Sequence, residues 1–294
     1  LILAKKLINA AKNVGADIIK FQTFVTENII IQSAKKAIYQ KKFQPKQSQY
    51  SMLRNLELPF ADFKILSKLC LKKKIEFLST GFDINSIKFL SSIKQKRFKI
   101  PSGEITNYPL LRFIASRKKE IILSTGMSNL KEIESALKVL IQYGASLKKI
   151  TILHCTSVYP VKNIDVNLKA MLSIKSKFGT NVGYSDHSIG TEASVIAVSL
   201  GAQIIEKHLT LNRKFIGPDH TSSIEPKTFK KMVLAIRRTE EYLGHDKKIV
   251  TKSEKKNRDT VRKSIVALKE IKKGENFTES NLTTKRPGKG ISPM

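Results

Sequence analysis

The sequence predicts an α/β fold, a TIM-type (β/α)8 barrel lacking its first strand, followed by a small, shortened β-rich domain. Three observations carry this expectation. Short apolar runs at residues 17–22, 75–79, 97–101, 120–124, 150–155, 181–185 and 203–209 each lead into a polar turn and an amphipathic helical pattern. Seven such units, with a helical pattern over 1–14 ahead of the first, are one strand short of eight. Past residue 244 the rhythm changes to short strand-like runs punctuated by glycine.

The chain opens at Leu1 inside that first helical pattern, so the reading expects a strand upstream. Between the first two strands, residues 25–49 form a long polar insertion with Gln40, Gln44, Gln47, Gln49 and a Pro45 break. Loops of this length are either functional lids or unstructured, and both readings stay open. After Gly126, Asn129 and Glu132 stand at capping-box spacing. Ile133, Ala136, Leu137, Leu140 and Ile141 then follow a helical stripe that ends near Gly144. Residues 190–200 read as a small-residue helix between strands 181–185 and 203–209, which makes those strands parallel neighbours. Pro226 suits a first helical position, with Phe229, Met232, Val233 and Ile236 as the buried stripe. The barrel domain is expected over 1–244, a charged linker over 245–258 and the small domain over 259–294, with strand-like runs at 263–267, 271–275 and 281–288.

Composition narrows the function classes. Apolar residues make up 41% of the 294, and charged residues 27%, which is globular. Lys and Arg number 54 against 24 Asp and Glu, a formal charge of +30. The basic residues are scattered over nearly every expected helix and are not interleaved with aromatics. A solvated basic surface is therefore expected, with no nucleic acid as partner. Cys70 and Cys155 are too few for a disulfide framework, which fits a cytoplasmic protein. No apolar run approaches the ~20 residues of a membrane span, so no membrane partner is expected.

The strand ends carry polar groups where a purely structural barrel would carry apolar ones. His187 and His208 follow neighbouring parallel strands, at the end where barrel active sites lie. Neutral imidazole is a common ligand for divalent metals, although two histidines bonded to backbone is an equally open reading. Lys20 and Lys99 point into the mouth, and each ammonium needs an anion if buried. Thr80, Ser102, Ser124, Thr125 and Ser185 add hydroxyls at the same level, a set suited to a phosphate and a carboxylate together. Snorkelling lysines are the bland alternative. Gln22 shares a face with Lys20; Glu104 is a candidate acid/base, Tyr159 a wall, and Asp219 a sugar-hydroxyl or turn-capping group. Cys155 reads as core.

The segments IIKFQTF (18–24), FKIPSGEITNYP (98–109), ILHCTSVYP (152–160), GYSDHSIG (183–190), IEKHLTL (205–211), GPDHTSSIEP (217–226) and TKRPGKGISPM (284–294) resemble the sialic acid synthase family. The resemblance implies a TIM barrel with a C-terminal antifreeze-like (SAF) domain in a domain-swapped homodimer. It implies condensation of phosphoenolpyruvate with an N-acylated mannose-type sugar. His187 and His208 then resemble metal ligands, for Mn2+ or Mg2+, and join Glu104 as catalytic positions. Lys20, Thr80, Lys99, Ser102, Ser124 and Ser185 resemble the phosphoenolpyruvate cradle. Gln22, Ser157, Tyr159 and Asp219 resemble sugar-binding positions, and Arg286 the group that reaches the sugar's N-acyl substituent. The family's Glu-Ile-Gly-x-Asn-His-x-Gly opening motif is not in this sequence, and its Ser-Thr-Pro-Phe turn reads Ser79-Thr80-Gly81-Phe82. N-acetylneuraminate synthase with N-acetylmannosamine is the expected activity. The alternatives are a legionaminic or pseudaminic acid synthase using a 2,4-diacetamido-trideoxyhexose, or an inactive binding remnant.

Overall fold

The computed structural model describes residues 1–36, 47–286 and 288–294. Two compact units, Leu1–Leu243 and Gly244–Met294, are each described by themselves. Gln40, Gln44 and Pro45 of the polar insertion lie outside the described residues, as does Pro287.

In the first unit, α1 (Ile2–Asn13) leads into β1 (Ile18–Thr23), then a short α2 (Thr26–Ile29) and α3 (Gln49–Leu56). Next come α4 (Phe60–Lys73), β2 (Glu76–Gly81), α5 (Ile84–Ser92), β3 (Arg97–Ile100) and α6 (Tyr108–Ala115). The chain continues through β4 (Glu120–Ser124), α7 (Leu130–Gln142), β5 (Ile150–Cys155), α8 (Ala170–Phe178) and β6 (Asn181–Asp186). It closes with α9 (Glu192–Ser199), β7 (Ile204–Lys207) and α10 (Pro226–Leu243). Each expected strand is present to within two residues at either end. Side-chain caps explain where several helices start. Asp83 accepts from Ser86 N at α5, and Asn129 and Glu132 make the reciprocal capping box of α7. Ile133, Ala136, Leu137 and Leu140 of α7 are buried, but Ile141 is exposed; a stripe wider than the contact face leaves its flank in water.

All strand pairings in this unit are parallel. β1 pairs with β2, and β3 to β7 pair in order, giving a curled sheet of half-barrel form. A cleft of about 540 Å3 runs between β1 and β7, lined by Leu7, Ile18, Lys20, Ile204, Glu206 and Phe229 among others. Alternation divides each strand into two faces. The outer face meets the helices in the main core, where Phe63, Phe98, Ile100, Leu110 and Tyr184 are fully buried. The inner face begins with an apolar layer of Leu78, Ile122 and Leu153, against which Ile18 and Ile204 pack. Above that layer the inner residues turn polar, and this change positions the site.

The second unit holds α11 (Lys252–Val261) and an antiparallel pair, β8 (Ser264–Ala267) and β9 (Leu282–Lys285). The expected linker over 245–258 is therefore half helical. Thr251 and Glu254 form a capping box, and that local pair starts a helix that composition alone read as a tether. The run at 271–275 is a turn instead of a strand, with Gly274 at φ +91° and Lys272 N donating to Glu275 Oε2 at 3.0 Å.

Gly183 of β6 faces the apolar layer at a point where a Cβ would collide with Ile204 O and stand 2.6 Å from Leu153 Cδ2. Gly183→Ala is expected to cost about 1–3 kcal/mol through overpacking. Urea denaturation measures this, and an unchanged midpoint would mean that Leu153 and β7 yield without strain.

Candidate active site

β6 and β7 end side by side, Ser185 opposite Glu206 and Asp186 opposite Lys207. His187 and His208 follow immediately, and their rings lie 5.4 Å apart between centroids. Tyr159, on the loop after β5, packs on both, at 4.1 Å from His187 and 5.8 Å from His208. His187 Nδ1 lies 2.8 Å from Thr156 O. A carbonyl can only accept, so Nδ1 carries the proton and the Nε2 lone pair is free in the neutral ring. Burial lowers the pKa of His187. Burial, then the neighbouring His187 and Lys20, pushes His208 down to about 3. Both imidazoles are thus held neutral.

One turn below them, Lys20 and Lys99 converge on a single carboxylate. Glu206 lies 3.0 Å from Lys20 Nζ and 3.6 Å from Lys99 Nζ, and it accepts from Ser185 Oγ at 2.7 Å. Lys99 also bonds Ser124 Oγ and is only 1% exposed. Burial pulls the Lys99 ammonium down to about 8, although Glu206 opposes the shift. Burial would raise the Glu206 carboxyl; Lys20, Lys99 and Ser185 outweigh it and hold that pKa well below the usual range. The anion that two mouth lysines require is therefore built into the protein. Asp219 is a second carboxyl near this group and interacts electrostatically with Lys20. Glu206 was not singled out from sequence, although it stands two residues before His208 and so on the same strand face.

The remaining expected residues divide into three groups. Thr80 reaches this level, 1% exposed, and its Oγ1 has no hydrogen-bond partner among the described residues. Ser102 Oγ accepts from Gly126 N at 2.9 Å and lies 3.2 Å from Cys155 Sγ. Ser157 closes the same corner, where a Cβ on Gly126 would collide with its Oγ. Gln22 is exposed and lines the β1–β7 cleft with Lys20, Glu206 and His208. Asp219 Oδ2 lies 4.0 Å from His208 Nδ1, and burial raises its carboxyl pKa. Glu104 accepts from Asn107 Nδ2 at 2.6 Å at the cap of α6; no hydrogen bond or ion pair joins it to the lysines or histidines. Arg286 belongs to the second unit and is exposed just after β9.

As a metal site the two imidazoles are a partial fit. They are neutral and adjacent, as ligation requires. Among the described residues no group of three or more His, Cys, Asp or Glu gathers in metal-binding geometry. Among the described residues His187 and His208 are the two candidate ligands, with water or substrate oxygens to complete the shell.

Comparison with known proteins gives the geometry a family. The family model described as NeuB matches residues 7–248. The chain belongs to the NeuB family, that of the sialic acid synthases. N,N'-diacetyllegionaminic acid synthase of Campylobacter jejuni is 52% identical to this NeuB protein, over 99% of this chain and 88% of that one. The enzyme of the same name from Legionella pneumophila is 46% identical over 99% and 83%. A crystal structure of N-acetylneuraminic acid synthetase from Leptospira borgpetersenii superposes with a TM-score of 0.76 at 33% identity, covering 88% of this chain and 87% of that one. An α/β barrel-like synthase fold is thereby established for the first unit. No helix among the described residues of this NeuB chain is long and apolar enough to cross a membrane.

Glu206→Gln would leave Lys20 and Lys99 without a counter-charge. Breaking a buried ion pair from one side costs about 3–5 kcal/mol, and the partial exposure of Lys20 puts this case at the lower end. Chemical denaturation of Glu206→Gln beside Glu206→Gln/Lys20→Met tests it. The double variant is expected to recover part of the loss, and equal stability of the two would refute the shared-counterion account.

Proposed function

We propose that this protein is a nonulosonic acid synthase of the legionaminic type. It joins phosphoenolpyruvate to the 2,4-diacetamido-trideoxy analogue of N-acetylmannosamine and releases phosphate. The observation that carries the reaction class is the Lys20–Glu206–Lys99 group, set directly beneath two neutral imidazoles. The sugar assignment rests on the legionaminic acid synthases at 52% and 46% identity. That similarity favours the diacetamido sugar over N-acetylmannosamine, the substrate first expected from motifs.

In this reading Lys99, Lys20, Ser124, Ser185 and the unpartnered Thr80 hydroxyl hold the phosphate and carboxylate of phosphoenolpyruvate by charge-assisted bonds. Ser102 and Ser157 border the same pocket, while Gln22, Tyr159 and Asp219 face the sugar. A divalent ion, Mn2+ or Mg2+, held by His187 and His208 would polarise the sugar aldehyde. The methylene carbon of phosphoenolpyruvate forms the new C–C bond to the aldehyde carbon, whose oxygen gains a proton. Water supplies oxygen to the adjacent, phosphate-bearing carbon, and the C–O bond from that carbon to phosphate breaks. The sum consumes one water and no net proton when phosphoenolpyruvate enters fully ionised and phosphate leaves as its dianion. Glu104, capped by Asn107, is kept as an acid/base candidate near the mouth. The second unit is proposed to be an SAF domain that, in a domain-swapped homodimer, brings Arg286 to the N-acyl group, where a guanidinium suits a carbonyl.

Phosphate release with each sugar tests the assignment. The diacetamido sugar is expected to turn over at least tenfold faster, in kcat/KM, than N-acetylmannosamine. The reverse order would return the protein to the N-acetylneuraminate synthases, and no release with either would remove the synthase reading.

Lys99 makes a second prediction. Its ammonium pKa of about 8 belongs to the free enzyme. The charged form is complete below that value and lost as pH rises through it, so kcat/KM for phosphoenolpyruvate is expected to fall above about pH 8. A profile flat to pH 9.5 would place the Lys99 charge outside substrate binding.

A further inference from the structure

Behind the two histidines, on the opposite face of the same strand ends, lies a buried ion pair that the proposed chemistry does not use. Lys207 Nζ and Asp186 Oδ2 are 2.9 Å apart, and both side chains are essentially inaccessible, at 1% and 0%. Every acceptor site of Asp186 is engaged. Oδ1 accepts from Ser188 N at 2.8 Å and Ser188 Oγ at 2.6 Å. Oδ2 accepts from Ser194 Oγ of α9 at 2.6 Å in addition to the lysine. Lys207 Nζ donates onward to Ser188 O at 2.6 Å. Ser188 is bridged to Val161, and Val161 N donates to His187 O at 3.0 Å, which ties in the loop that carries Tyr159.

The placement is what matters. Asp186 precedes His187 and Lys207 precedes His208, so the pair locks the two strands one residue before the imidazoles emerge on the other face. A buried ion pair is a poor source of net stability but a good setter of geometry when every partner is satisfied. We infer that the Asp186–Lys207 clamp is a positioning device that fixes the separation and orientation of His187 and His208, and so sets the divalent-metal affinity of the site. This inference rests on the proposed role of the histidines as metal ligands, and its test separates the two ideas.

The test uses the full chain, with Mn2+ alone as the calorimetric probe. Asp186→Asn is expected to raise the Mn2+ Kd tenfold or more, within the range of outer-shell changes at metal sites. Ser194→Ala, which removes one bond and no charge, is expected to raise it by a smaller factor and covers the case that Asp186→Asn fails to fold. Glu76→Gln is the structural control. It breaks the Arg97–Glu76 pair, 2.7 Å, between the first residues of β2 and β3, whereas His187 and His208 follow the far ends of β6 and β7. That variant should lose stability yet keep the Mn2+ Kd within twofold. An unchanged Kd in folded Asp186→Asn, or an equal loss in Glu76→Gln, overturns the inference.

Metal-free protein supplies the second readout, with five histidines in all to resolve by NMR. At fixed pH the Cε1–H resonances of His187 and His208 are expected to shift in Asp186→Asn and to stay in place in Glu76→Gln. If wild-type protein binds no Mn2+, the metal reading fails, and this spectrum alone decides the clamp: unmoved His187 and His208 signals refute it.

Discussion

The constraint on which the site depends is charge accounting among half-buried groups. Two ammonium groups share one carboxylate at the level where the inner face of the sheet turns polar. Beneath that level the inner face is apolar, with Leu78, Ile122 and Leu153 in one layer against which Ile18 and Ile204 pack. The imidazoles, held neutral by burial, add no further charge. Lys20 lines the β1–β7 cleft, where an anion can arrive. The hydroxyls of Ser124 and Ser185 are bound to the charged groups they border and so hold them in register.

The two faces of the strand ends do different work. Inward residues, Ser185, Glu206, His187 and His208, are chemically exposed to the mouth. Outward residues, Asp186 and Lys207, are sealed against α9 and satisfied among themselves. Because successive side chains alternate, a geometric demand on one face can be met from the other without placing a supporting group in the substrate's way. Gly126 serves the same economy in the opposite corner, where a missing side chain lets Ser102, Cys155 and Ser157 approach one backbone position.

Much of this was legible in the sequence. The seven strands followed from apolar runs, and the adjacency of His187 and His208 followed from strand, helix and strand within thirty residues. Two-residue spacing places Glu206 on the face of His208, but nothing along the chain marks it as the counter-ion of Lys20 and Lys99. Within the expected linker, Thr251 and Glu254 form a local capping pair that starts a helix, which charge-rich composition does not display. Ile141 shows the limit of a periodic stripe, since apolar identity does not fix how wide the partner surface is. Relations among side chains on different elements, such as Tyr159 against both histidines, have no signature along the chain at all.

Thr80 has a consequence for how the molecule endures. A buried hydroxyl without a partner among the described residues costs about 1–3 kcal/mol. Marginally stable proteins hold only about 5–15 kcal/mol in reserve. Under the proposed function, an anion with oxygens to offer the Thr80 hydroxyl would add the mass-action term of binding to the stability of the fold, so the substrate would hold the chain folded as well as feed the reaction.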